Sequence, residues 1–441
     1  MAPLREFKIP YGSSFQGIKV PEEQLLGIFL PQKLETLKNP GKAAREVIRQ
    51  GLEETQITVK ASPACRVAIG ITDRTRVTPH RLFLPLLLNE LNGLGVSDEN
   101  ITIIVGTGMH APDSVEDIRR NVGEEIQRRI RIINNHPLEK DLYTRVGQTS
   151  YGTPINLHRE FAAADIKIVT GNIIPCLMAG WTGGGKTLLP GVVDRDCIYF
   201  NHKFSMDQLL KANRGAMLGV LPPENIVRDD IEEAATRAGL DMAVNSVLNF
   251  DETLVHVLAG EHREIHREGV STALKGLEAP FPGKADIIIG GVGNLGFDIS
   301  LYQGGSRVLQ SLDEVIKEGG TIIFTCECRE GIYEGIMKDV YTDWMQQMPT
   351  PEEIVRLMEE DTLPPEDGVV IYVFSWIIHK LKCNVVVVTE GLTEAELKAV
   401  HMNSAPSLQH ALEAALDRHG AGAQVAVLPY ASMMMPRLTQ G

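Results

Sequence analysis

Along this chain, short runs of aliphatic and β-branched residues alternate with longer stretches in which apolar positions recur every three or four residues. The runs are RVAIGITD (66–73), ITIIVGTG (101–108), DIKIVTGN (165–172), DIIIGGVG (286–293), TIIFTCE (321–327), NVVVVTEG (384–391) and AQVAVLP (423–429). Nearly continuous apolar runs that tend to end in glycine or polar residues predict buried strands of mainly parallel sheets. SVEDIRRNVGEEIQRRI (114–130), RDDIEEAATRAGL (228–240), a stretch near 262–276 and SLQHALEAALDRHG (407–420) predict the covering helices.

The expected fold is therefore α/β, with two α/β domains, mainly parallel sheets and a ligand cleft between them. Three of the strands precede residue 175 and four follow residue 285. GLEAPFPGKAD (276–286), with two prolines and two glycines, reads as the hinge. This gives an N-terminal domain (1–275), a C-terminal domain (276–430) and a tail (431–441). In open α/β sheets ligands gather at the carboxyl ends of strands, and those ends carry Asp73, Arg76, Thr107, His110, Asn172 and Cys176.

Composition narrows the function classes. With 441 residues, 43% hydrophobic and 23% charged, the chain is a globular protein large enough for two cores. Forty-three basic against 57 acidic residues, a net charge of −14, argue against nucleic acid or an anionic membrane surface as partner. An anionic ligand then needs a local basic pocket. Six cysteines without a CxxC pair, and a start (MAPLREFKIPYGSS) without an apolar signal core, point to a reduced cytoplasm. The longest apolar run, Val369 to Ile378, falls short of the ~20 residues that span a bilayer.

GWTGGGKT (180–187) matches the phosphate-loop pattern GxxxxGK[ST]. That device needs a strand before it and a helix after it, whereas Pro175 interrupts the approach and Pro190 would break the helix. A phosphate-binding NTPase or kinase is therefore the rival reading; three glycines beside a lysine also form a backbone nest for an anion. Around this block stand TDRTRVTPH (72–80), GTGMHAP (106–112) and the pair NH (201–202). Arg76 suits a bidentate carboxylate contact, and His110 follows a strand and a permissive glycine turn. HREIH, with His262 and His266 four apart, is not HExxH and reads as an exposed helical face; Cys326 and Cys328 read as packing.

DRTR, GTGMH, the P-x-x-x-AGxxGGxKxxxPG block, the downstream NH and ECREG (327–331) together resemble the lactate racemase (LarA) family, over most of the chain. The resemblance implies a nickel-pincer nucleotide cofactor, a pyridinium mononucleotide carrying thioamide and thiocarboxylate groups, made by separate biosynthetic proteins. It implies covalent attachment at Lys186, nickel ligation by His202, proton transfer by His110, and roles for Asp73 at the cofactor and in catalysis and for Arg76 at the substrate. Thr182, Gly183, Gly184 and Gly185 fall in the cofactor block, and Tyr302, Gln303 and Ser306 in the substrate segment. Residues 1–275 thus become the cofactor-binding domain.

Two positions depart from the family pattern. Its second catalytic histidine corresponds to Cys176, and the lysine three residues after its substrate-binding glutamine corresponds to Ser306. The first leaves open whether Cys176 is a second base, its thiol acidified by a metal or cation, or a small buried residue. The second removes a cation and adds room. The implied activity is a racemase or epimerase of a 2-hydroxy acid larger than lactate, with polyhydroxy acids hydrogen-bonding Ser306 and Gln303 preferred. Hydride transfer avoids a carbanion at the weakly acidic α-carbon, and imidazole, with a pKa near 6.5, suits the hydroxyl proton. A noncatalytic binder that has lost one base is the third reading.

Overall fold

A computed structural model of the chain describes residues 3–293 and 296–439. All seven apolar runs contain strands, six in-register neighbours to a sheet. The first sheet runs, edge to edge, Leu254–Gly260, Met242–Leu248, Ile166–Asn172, Val67–Thr72, Ile101–Gly106 and Arg131–Asn134, parallel except for its first pair. The second runs Asn403–Ser404, Asn384–Val388, Ile316–Thr325, Ala285–Gly291, Val425–Leu428 and Leu25–Ile28, parallel throughout.

Leu25–Ile28 thus brings the start of the chain, grouped by sequence with residues 1–275, to the edge of the second sheet. The hairpin Leu4–Tyr11/Ser14–Pro21 follows it there, with Phe7, Ile9 and Ile18 packing on Ile287, Ile289 and Ile323. The expected hinge is itself partly a strand. Glu278–Phe281 pairs in parallel with Met435–Leu438, so the segment expected as a tail is anchored as well.

Helical periodicity translates into structure with one interruption and one reversal. The stretch 114–130 forms two helices, Val115–Val122 behind a Ser114/Asp117 capping box and Glu124–Arg129, because Gly123 between them adopts φ +88°. His262 and His266, expected on an exposed face, are each 3% exposed, so that reading is corrected. Their helix, His262–Leu277, packs on Met242–Leu248 and on the glycine turn.

In the first sheet, alternate residues face opposite sides. Ile69, Ile71, Ile103 and Val105 form a core with helices Pro40–Glu54 and His80–Gly93. Ala68, Ile104 and Val169 face the other way, into a core shared with Trp181, Leu188, Val308 and Phe324 of both halves. The chain leaves Val67–Thr72 toward one edge and returns on its other side at Ile166–Asn172. That reversal opens a crevice at the carboxyl ends, over the shared core. Among the described residues no helix is long and apolar enough to cross a membrane.

Candidate functional site

The crevice is lined by nearly every residue singled out in the sequence: Asp73, Arg76, His110, Cys176, Lys186, His202, Tyr302, Gln303 and Ser306. Its first wall is the carboxyl end of the first sheet. Asp73 follows Val67–Thr72 and accepts from His110 Nδ1 at 2.6 Å through Oδ2. Its Oδ1 accepts from the Thr75 backbone N–H at 3.0 Å and hydroxyl at 2.6 Å. Burial raises the Asp73 carboxyl, but His110, then Arg76 and Thr75, outweigh it and hold the group below the usual aspartate range. With Nδ1 donating to Asp73, His110 Nε2 carries the lone pair, and Gln303 Nε2 lies 3.1 Å from it. The imidazole is thus oriented as a base.

The floor is the glycine turn, which is not a phosphate loop. Gly184–Thr187 is a single 3-10 turn, and the next helix begins at Arg195. Gly184 N–H donates to Asn245 Oδ1 at 2.8 Å and Gly185 N–H to Glu232 Oε1 at 3.4 Å, so the expected anion nest at Gly183–Gly185 is already filled by the protein. Thr182 is likewise committed: its hydroxyl donates to Asn172 O at 2.6 Å. A buried Arg228–Glu232 ion pair clamps the turn from behind, with Arg228 also donating to the carbonyls of Trp181 and Gly183. At Gly184, with φ +57°, a Cβ would lie 2.3 Å from Arg228 Nη2, so only glycine fits. The clamp leaves Lys186 as the turn's one charged side chain in the cavity. Burial lowers its ammonium pKa, Arg76, Arg228 and Arg307 lower it further, and the Cys176 thiol opposes them.

His202 enters from helix Arg195–Ala212, capped by Asp194. Burial, then Lys186, pushes its imidazole down to about 3, and Nδ1 is buried with no hydrogen-bond partner. Cys176 sits on a two-residue strand paired with Gly180–Trp181. Burial raises its thiol, yet Lys186 and Arg307 together bring it below the usual range.

The second wall is Leu301–Leu309, a π-helical turn followed by an α-helical one. Gln303 reaches His110, accepts from Arg76 Nη1 at 3.3 Å, and donates to Glu334 Oε1 at 2.8 Å. Ser306 lines the cavity, and its hydroxyl donates to Tyr302 O at 2.5 Å, which leaves its oxygen free only as an acceptor. Tyr302 lines the cavity with its ring against Tyr333 and Tyr341, at 4.5 and 5.1 Å.

Sequence reasoning missed Glu334, Arg228, Glu232 and Arg307. Glu334 has no motif, but ECREG just before it gives a partial signal. Arg74 Nη2 donates to Glu330 Oε2 at 3.0 Å, and His110 forms an isolated bridge with Gly335, so DRTR and GTGMH are tied across the crevice to this segment.

The model for the lactate racemase N-terminal domain matches residues 11–214, and that for the lactate racemase C-terminal domain matches residues 282–434. A lactate racemase of Thermoanaerobacterium thermosaccharolyticum is 26% identical over 435 residues, covering 97% of this chain and 98% of its own. One from Lactiplantibacillus plantarum is 27% identical over 426 residues, covering 96% and 97%. The solved lactate racemase apoprotein from T. thermosaccharolyticum has the same fold, with a TM-score of 0.82 at 23% identity, covering 98% of this chain and 100% of that one.

Proposed function

The chain belongs to the lactate racemase family, and from that premise we propose that it is a racemase or epimerase of a 2-hydroxy acid other than lactate, using a nickel-pincer nucleotide attached at Lys186. The observation that carries this reading is the pairing of a buried lysine, its pKa lowered toward the neutral amine, with a neutral histidine that keeps an unpartnered ring nitrogen. A lowered ammonium pKa favours acylation, and a neutral imidazole is what a divalent metal of the nickel type takes as donor. The residues fit the group. Lys186 would hold it covalently and His202 would ligate the metal. When bound, the group supplies a reversible hydride acceptor for carbon 2 of the substrate.

The protein's own part is proton handling and orientation. His110 Nε2 takes the hydroxyl proton, while Asp73 holds the ring in the tautomer that allows it. Cys176, with its lowered thiol pKa, acts as the second acid/base for the opposite face of a planar keto acid. Arg76 faces the carboxylate. Lactate is disfavoured because Ser306, short where the family has a lysine, leaves room for a longer chain. The occupied glycine N–H groups count against an NTPase. Delivery of the cofactor calls on separate biosynthetic proteins.

The test is intact mass and nickel content of protein produced beside those proteins. Wild type carries an adduct and nickel; Lys186→Ala loses the adduct and all turnover while keeping its circular dichroism. An adduct that persists in Lys186→Ala overturns the attachment, and an adduct without racemisation of any 2-hydroxy acid leaves the noncatalytic binder.

A further inference from the structure

The second wall holds a cation without a partner. Arg307 is 6% exposed and lines the cavity, and its Nε is buried with no hydrogen bond. No carboxylate among the described residues pairs with it. The acids nearby are engaged elsewhere: Asp73 with His110, Glu334 with Gln303 and Ser300, and Glu366 with Arg195 at 2.7 Å. What holds Arg307 is an aromatic face. Its Cζ lies 3.8 Å from the centroid of the Phe297 ring, and Arg76 Cζ lies 6.0 Å from the same ring. Two guanidinium groups, one from each half of the molecule, thus flank a single phenyl group beside the cavity. A buried, preorganised and uncompensated guanidinium is built to receive an anion.

Helical geometry explains why the cation stands at 307 rather than 306. Leu301–Gly305 is a π turn, wider than an α turn, so the residue four positions on from Gln303 stands over it more closely than the residue three on. Gln303, Arg307 and Gln310 then share one face, and all three line the cavity. Ser306 also lines the cavity, but it carries no charge and its hydroxyl donates back to Tyr302 O.

Beyond Arg307 the wall changes from donors to acceptors. Gln310 Oε1 and Glu366 Oε2 are buried without hydrogen-bond donors, and both residues line the cavity. Acceptors lacking donors call for hydroxyl protons; an alkyl chain leaves them unsatisfied, and a second carboxylate is repelled by Glu366. Resting on the racemase reading above, we propose that Arg307 joins Arg76 in binding the substrate carboxylate, replacing the cation missing at position 306, and that the substrate is a 2-hydroxy acid whose chain carries further hydroxyl groups.

The experiment uses cofactor-loaded wild type, Arg307→Met and Arg307→Lys with four probes: D-gluconate, 2-hydroxyhexanoate of equal chain length, lactate and malate. Inversion at carbon 2 is followed by NMR and optical rotation, with KM and kcat separated, and nickel and adduct mass are measured on each protein. Wild type is expected to prefer gluconate over 2-hydroxyhexanoate by at least about tenfold in kcat/KM. Arg307→Met is expected to raise KM about 10–100-fold at unchanged nickel and adduct, and Arg307→Lys to recover part of the loss. An unmoved KM in Arg307→Met overturns the carboxylate role, as does loss of adduct or nickel with normal KM in the loaded fraction, which assigns Arg307 to the cofactor. Preference for 2-hydroxyhexanoate, lactate or malate overturns the hydroxylated chain. Loaded wild type that inverts no 2-hydroxy acid overturns the racemase reading itself, a result distinct from all of these.

Discussion

On the wall formed by the first sheet, Asp73 accepts three hydrogen bonds and the His110 ring is engaged on both nitrogens, whereas on the facing wall Arg307 and Gln310 keep buried polar atoms without partners. The first wall is finished by the protein alone. The second leaves bonding capacity open toward the cavity. A buried polar atom left unpaired costs about 1–3 kcal/mol, so open positions are retained where a ligand closes them. Proton transfer depends on a fixed tautomer and needs preorganisation; recognition needs groups that still have bonding capacity.

If the first wall works as a unit, Asp73→Asn should cause the largest loss short of removing Lys186. Thr75 already donates to Oδ1, so the carboxamide would turn its NH2 toward His110 Nδ1 and move the ring proton to Nε2, where the base should be. A fall of about 10²–10⁴ in kcat is expected, at unchanged adduct mass. The same substitution has a pH signature in stability. The Asp73 carboxyl is held below its unfolded value, so its contribution is present above the usual aspartate pKa of about 3.9 and disappears as pH falls through the folded value. The gap in urea midpoint between wild type and Asp73→Asn should therefore be full at pH 6 and shrink below about pH 4.

Cys176→Ala tests whether proton handling extends past the first wall. Loss of about 10²-fold in both directions is expected, with Cys176→His restoring part of it; activity within tenfold of wild type would return Cys176 to packing. The smallest effect is expected at Ser306. Its hydroxyl is tied to Tyr302 O, so Ser306→Ala should change KM less than about threefold, in contrast to its neighbour Arg307; a tenfold rise would place residue 306 on the substrate after all.

The contrast between the walls also marks what could be read from the chain. Strand cores such as VAIGIT and ITIIVG announce themselves because burial on both faces requires unbroken apolar runs. Met242–Leu248 passed unnoticed because Asn245 and Ser246 interrupt it, and Asn245 is polar for a long-range reason: it holds Gly184 N–H. Leu25–Ile28 is only four residues long, and its partner lies at the far end of the chain. Local motifs, at strand ends for Asp73, Arg76 and His110 and in the glycine block and the NH pair for Lys186 and His202, gave residues that meet in one crevice. Arg307 and Glu334 have no motif. Their importance comes from a π turn and from contacts across the crevice, neither of which local periodicity encodes. His262 and His266 misled for the same reason, since what buries them lies far upstream: Glu232 and Thr236 of the helix Ile226–Arg237 for His262, the glycine turn for His266.

The pairing of Leu25–Ile28 with Val425–Leu428 has a consequence for synthesis. The earliest strand of the chain to join a large sheet waits for the last strand of that sheet to leave the ribosome. Until then Leu25 and Ile28 have no ladder to enter, and the edge they will cover does not exist. The first sheet meets no such delay, because its strands all lie between residues 67 and 260. In the second sheet, pairing of Leu25–Ile28 with Val425–Leu428 closes a loop of about 400 residues, a contact of far higher sequence separation than any in the first sheet. A fragment cut at the family boundary near residue 282 would expose the Val425–Leu428 edge, a bare strand open to pairing with other chains.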